Sequence, residues 1–209
     1  RGRVPVTTAS VIVAPAREGI AELALGLLVD GLRAGIRERG SAHLALTGGS
    51  SAAALFELLR TDPRAGRVDW SRVHVWQGDE RFVAADHADR NWAGAMAGWL
   101  AASGGPGIPA AQLHPVPVDA AIEAGQDADA AADAYSRELL AALPQRGGVP
   151  AFDVLLLGVG GHQPGFGQGF GTAGFYLVLV EVGLHHAEGL GTGLCGSLRI
   201  DPVQLGQQQ

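Results

Sequence analysis

Short apolar runs alternate with segments of helical period along most of this chain, and few architectures accept that alternation. Val11-Ile12-Val13 stops at Ala14-Pro15 and reads as a first strand. From Arg17 to Arg39 the residues Ile20, Leu23, Leu27, Leu28, Leu32 and Ile36 recur at helical spacing, and Gly40 after Arg37 and Arg39 marks the stop. A strand at His43–Leu46 leads through a Gly-rich turn into a helix from Ser51 to Arg60. Val73–Trp76 predicts another strand and Asn91–Ala101 a helix, after which Gly104-Gly105-Pro106-Gly107 breaks the chain. Leu113–Val118 reads as a strand that Pro115 and Pro117 confine to a sheet edge or a loop. Asp127–Leu143 is an Ala-rich helix with Tyr135, Leu139 and Leu140 on its apolar face, and Phe152–Leu157 is the most strand-like run of all. Strands alternating with helices, several of the strands apolar throughout, predict an α/β fold: a parallel sheet covered by helices on both faces. Ligands of such sheets gather at the carboxyl ends of the strands.

Composition narrows the function classes. The 209 residues suffice for one domain of ordinary size, and 47% hydrophobic with 17% charged residues fits a globular chain. A formal net charge of -6 argues against a general binder of nucleic acid or anionic membrane, yet a few arginines still suffice to hold one phosphate. All fifteen basic residues are Arg, which rules out Schiff-base or lysine-nucleophile chemistry. With Cys195 as the single cysteine, no disulfide can form within the chain, consistent with a reducing compartment. No signal peptide is evident, and Phe175–Val180 is too short to span a bilayer, so a cytoplasmic location is expected.

Three motifs fall at strand ends. Thr47-Gly48-Gly49-Ser50-Ser51 joins a strand to a helix; its glycines permit a close turn and the helix start offers amides to an anion, although an ordinary βα turn capped by Ser has the same look. Gly78-Asp79-Glu80-Arg81 places two carboxylates and a guanidinium after a strand, suited to sugar hydroxyls and phosphate, or simply to a solvated loop. Phe152 to His162 runs through Gly158, Gly160 and Gly161 to present a histidine, a residue type suited to general-base activation of water but more often structural. His185-His186 lack partners at a recognised ligand spacing, so no metal is expected. No Gly-x-Ser-x-Gly elbow supports a Ser-His-Asp hydrolase.

Taken in order, these segments resemble the 6-phosphogluconolactonase family over roughly three-quarters of the chain. The family's Thr-Gly-Gly-Ser loop stands at Thr47–Ser50. Its Asp-Glu-Arg and the Asn about ten residues later stand at Asp79, Glu80, Arg81 and Asn91, with Val68-Asp69-Trp70 as the lead-in. The approach to the family's Gly-x-Asp-Gly-His segment stands at Phe152–Gly160. The resemblance implies a three-layer Rossmann-like fold and hydrolysis of 6-phospho-D-glucono-1,5-lactone, the second step of the oxidative pentose phosphate pathway, by a monomer or weak oligomer with no cofactor or metal. It further implies that Gly48, Gly49 and Ser50 form the substrate loop and that Arg81 holds phosphate. Asp79 and Asn91 would position the sugar or its loops, and His162 would be the base. An amino-sugar phosphate deaminase/isomerase, whose relatives share the Gly-rich loop, is the alternative within this fold; Asp79-Glu80-Arg81 favours the lactonase. A non-catalytic sugar-phosphate binder or a damaged remnant is the alternative outside catalysis.

The resemblance stops near Gly160. Gly160-Gly161-His162 lacks the Asp expected before Gly-His, and Gln163-Pro164-Gly165 replaces a small-residue continuation. Residues 161–209 hold Glu181, Glu188, Arg199 and Asp201 as their only charged groups, are rich in glycine, and suggest one strand at Phe175–Val182. The chain therefore divides into a lactonase-like α/β domain at 1–160 and an atypical tail at 161–209. The tail either completes that domain or derives from a frameshift.

Overall fold

The computed structural model describes residues 17–146, 149–159 and 176–180. Helix α1 (Arg17–Arg39) ends where Gly40 takes a left-handed φ of 83° and its amide donates to the Ile36 carbonyl (2.8 Å), as a C-terminal glycine should. Strand β1 (Ala42–Leu46), helix α2 (Gly49–Thr61) and strand β2 (Val73–Gln77) follow, with short 3-10 turns at Ala65–Arg67 and Trp70–Arg72 before β2. Helix α3 (Asn91–Ala95) widens into a π turn at Met96–Leu100 instead of running as one regular helix to Ala101. Strand β3 is only Leu113–His114. The expected strand to Val118 gives way to helix α4 (Val118–Glu123), since Pro115 and Pro117 cannot donate to a ladder. Helix α5 (Ala128–Ala142) begins at Asp127, whose side chain accepts from the Ala130 amide (3.0 Å). A small hairpin of β4 (Gln145–Arg146) and β5 (Val149–Pro150) leads into β6 (Val154–Val159), and β7 (Tyr176–Val180) is the last described element. The strand expected at Val11–Val13 lies outside the described residues.

The main sheet has the order β3-β2-β1-β6-β7. β1, β2, β3 and β6 run parallel, with Ala42 opposite Val73 and Leu44 opposite Val154. β7 runs antiparallel to β6, from Leu155 opposite Val180 to Val159 opposite Tyr176, so the sheet is parallel only through its first four strands.

Because side chains alternate along a strand, the sheet buries two different faces. Leu44, Leu46, Val73, Val75, Val154 and Leu156 join α1, α2 and Trp99 in one core cluster. Ala45 and Trp76 join Tyr135, Leu139 and Leu143 in the other, on the α5 side. This is the three-layer arrangement expected. On α1 the buried stripe runs through Ala21, Ala24, Leu25, Leu28, Val29 and Leu32, while Leu23 and Leu27 point outward, so the expected apolar face was rotated too far toward them. Leu140 is likewise exposed on α5. Two glycines set the α1–β6 separation: a Cβ on Gly31 would meet Val154 at 2.8 Å, and one on Gly35 would meet Asp153 at 2.7 Å. Asp153 in turn accepts from the His43 amide (2.8 Å) and pairs with Arg39, fixing the start of β6 to β1 and α1. Among the described residues no helix is long and apolar enough to cross a membrane.

Candidate active site

The carboxyl ends of β1 and β2 lie side by side because these strands pair in register through Leu46 and Gln77. The ladder continues one step, with the Gly78 amide donating to the Leu46 carbonyl (2.7 Å), so Asp79 leaves the sheet directly beside the β1–α2 turn. Gly48 is the residue before α2 and has no side chain to occupy the first helical amides; Gly49 and Ser50 form the first turn. The Ser50 side chain lies outside the described part. Over Gly48 sits the Asn91 side chain, so close that a Cβ there would fall 1.9 Å from Asn91 Oδ1. Asn91 Nδ2 donates to the Asp79 carboxylate (3.0 Å) and to its carbonyl (3.2 Å). Gly48, Asp79 and Asn91, spread over 44 positions of sequence, therefore meet at one point on the sheet edge.

Arg81 is exposed beside them and forms no ion pair among the described residues. His162 lies outside the described residues. Among those described, no three His, Cys, Asp or Glu side chains come together as a metal site.

The middle member of Asp79-Glu80-Arg81 does different work. Glu80 turns inward, with its side chain 1% exposed, and accepts from Gln77 Nε2 (2.8 Å) and the amides of Arg81 (2.8 Å), Asn91 (2.8 Å) and Trp92 (3.0 Å). Burial alone would push its carboxyl up, but these donors prevail and hold it below the ordinary range. Glu80 thereby caps α3 and aims Asn91 at Asp79. Arg90, buried with a side chain 4% exposed, lies near Glu80 (3.6 Å), pairs with Asp119 (3.2 Å) and donates to the Val83 carbonyl (2.9 Å). It clamps the 81–90 loop to α4. Gln77 extends the support: its Oε1 accepts from the Val116 amide (2.7 Å). The Gln77 backbone amide donates to the Tyr135 hydroxyl (2.8 Å), which donates back to the Gln77 carbonyl (3.0 Å). Burial pushes the Tyr135 phenol up, so it stays a neutral donor.

Sequence reasoning missed Glu80, Arg90, Gln77 and Tyr135 as a supporting shell. Tyr135 carried the one available signal, a hydroxyl inside an apolar helical stripe. Nothing in the local sequence marks Arg90 as buried.

Residues 15–163 match the family described as glucosamine-6-phosphate isomerases/6-phosphogluconolactonase. The chain belongs to this family. Relatives carrying the name 6-phosphogluconolactonase include one from Synechocystis sp., 37% identical over 144 residues, 68% of this chain and 55% of the relative. Another, from Streptomyces coelicolor, is 37% identical over 159 residues, 73% of this chain and 58% of the relative. The solved 6-phosphogluconolactonase from Trypanosoma brucei superposes with a TM-score of 0.59 at 26% identity, covering 72% of this chain and 60% of that one. The chain thus spans a little over half the length of the curated relatives it matches. The family match ends within the segment where the composition changes.

Proposed function

We propose that the chain carries lactonase chemistry: hydrolysis of 6-phospho-D-glucono-1,5-lactone to 6-phospho-D-gluconate in the oxidative pentose phosphate pathway. The observation that supports this best is the convergence of Gly48, Asp79 and Asn91 at the carboxyl ends of β1 and β2, with Arg81 exposed beside them. An exposed guanidinium two residues after Asp79 is suited to a dianionic phosphate, and its fork can hold two oxygens at once. Asp79, oriented by Asn91, is suited to accept from a sugar hydroxyl or to hold the Gly48–Ser50 loop against the substrate. In the reaction water adds to the lactone carbonyl carbon, a base takes its proton, and the ring oxygen leaves with a proton as the ring opens. His162 is the residue we assign as base. The reading requires neither cofactor nor metal and places the reaction in the cytoplasm, on a small phosphorylated lactone, in a monomer or weak oligomer.

Relatives named 6-phosphogluconolactonase support the lactonase over the deaminase/isomerase reading. For residues 161–209 we keep both readings: completion of the domain, which leaves His162 in place as the base, and a frameshift origin, which fits a family match that ends at residue 163. The deciding test is proton release at constant pH by the purified chain, measured above spontaneous lactone opening. We expect acceleration, with Arg81→Ala raising KM at least tenfold, and His162→Ala abolishing turnover while phosphogluconate still raises the melting temperature. No acceleration, or ammonia release from glucosamine 6-phosphate, overturns the assignment.

A further inference from the structure

Arg39, Arg60, Arg64, Arg72 and Arg90 each pair with a carboxylate. Arg33, Arg37 and Arg67 pair with none among the described residues, in a chain whose formal net charge is -6. All three line a single hollow of about 220 Å³ together with Ile36 and Asp69. Asp69 does not balance them: its carboxylate accepts from the Ser71 hydroxyl (2.6 Å) and pairs with Arg72 (3.1 Å), and those contacts, the Ser71 hydrogen bond foremost, hold it below its ordinary range. Arg33 and Arg37 are four residues apart on α1, which places like charges on one face of the helix where they repel. All three arginines are exposed, and their combined positive potential over the hollow favours an entering anion.

We infer that this hollow is an anion site for a small phosphate-bearing ligand, a phosphate monoester or a pyrophosphate, held by Arg33, Arg37 and Arg67. Guanidinium forks match phosphate oxygens in pairs, and Ile36 supplies an apolar surface for the organic part of the ligand. The hollow adjoins the segment entering β2, whereas Asp79 leaves that strand at its other end, about 16 Å farther along at the usual rise of a strand. The site is therefore distinct from the one assigned to the lactone.

The test is calorimetric titration of inorganic pyrophosphate into the full chain at low salt, where exposed charges are least screened. It is carried out in an Arg81→Ala background to remove binding at the candidate active site. We expect saturable binding, weakened at least tenfold by Arg33→Gln with Arg37→Gln, and by Arg67→Gln. In the Arg81 form, the Arg33→Gln/Arg37→Gln protein should keep its melting temperature and its lactone turnover within twofold. Equal affinity in the double variant, no binding in the Arg81→Ala protein, or an equal response to sodium chloride at matched ionic strength overturns the inference. Because pyrophosphate binding is read directly, inactivity toward the lactone would not affect this result.

Discussion

The two faces of one sheet are built from alternate residues of the same strands, yet they differ in kind. Toward α1 and α2 the strands present Leu44, Leu46, Val73, Val75, Val154 and Leu156, and this cluster is dry. Its polar exception is Trp99, packed between Phe56 and Trp70, whose indole N–H has no partner among the described residues. Toward α5 the same strands present His43, His74, Trp76 and, on β3, His114. The rings form a stack: His43 lies 4.9 Å from His74, His74 5.3 Å from His114, and His114 3.8 Å from Trp76. Trp76 Nε1 donates to His43 (3.2 Å), while His74 and His114 share a proton-bearing contact (3.0 Å) and His114 meets Glu138 (2.6 Å). A dry face draws its stability from burial and is indifferent to pH. A face laced with histidines is tied to protonation, and through Tyr135 and Gln77 it also supports the loop that carries Asp79.

The contrast is sharpest at Trp99. Trp99→Ala should cost about 3–5 kcal/mol, measured by denaturant unfolding, and equally at pH 5 and pH 7. Trp99→Phe should be close to neutral, because it removes an unpartnered N–H along with part of the ring; a loss as large as that of Ala would mean the indole N–H has a partner after all. On the other face, burial first, and then the charges of His74, His114 and Arg39, lower His43 to about 4; burial and His114 lower His74 as well. Unfolded histidine binds its proton near pH 6.5, so between there and about pH 4 the unfolded chain holds more protons than the folded one. Stability should therefore be full above pH 6.5 and fall on acidification by an amount on the order of 2 kcal/mol. His43→Phe should flatten that slope, and an unchanged slope in this variant would break the assignment.

Tyr135→Phe should cost about 1–2 kcal/mol, since the Gln77 amide loses its acceptor inside the core. If the hydroxyl also steadies Asp79, lactone kcat should fall in this variant more than KM rises. The smallest effect belongs outside both cores: Leu27→Gln on the exposed side of α1 should change stability by less than about 0.5 kcal/mol.

The alternation of apolar runs and helical periods was enough to predict the layers, because a strand buried on both faces is largely apolar, and β1, buried at all five positions, departs from this only at His43. The side of α1 that faces inward was readable only in part: Leu28 and Leu32 are buried as expected, whereas Leu23 and Leu27 face outward. Ala21 and Ala24 are buried and Gly31 and Gly35 lie against the start of β6, and small residues that allow close approach carry little hydrophobic signal. Helix α4 escaped detection because Val118–Glu123 is shorter than two turns and begins directly after Pro117. At the candidate site the exposed participants stood out as motifs, whereas Glu80 and Arg90 read as loop charges until the fold turned them inward. A charge's burial depends on partners distant in sequence, here Asn91 and Asp119, and no local pattern encodes that.

One border of the sheet, β3, and the strand just inside the other, β6, have consequences for anyone producing the protein. β3 offers a border of two residues followed by Pro115, too short and too interrupted to recruit a foreign strand. β6 is different: six residues long, beginning Val154-Leu155-Leu156-Leu157, and shielded along its outer side by the antiparallel pairing of β7. A shortened version ending near Gly160, tempting because the family pattern stops there, would lay bare an apolar strand with unpaired amides and carbonyls. Its expected fate is self-association through that edge, so a soluble preparation should extend at least through Val180.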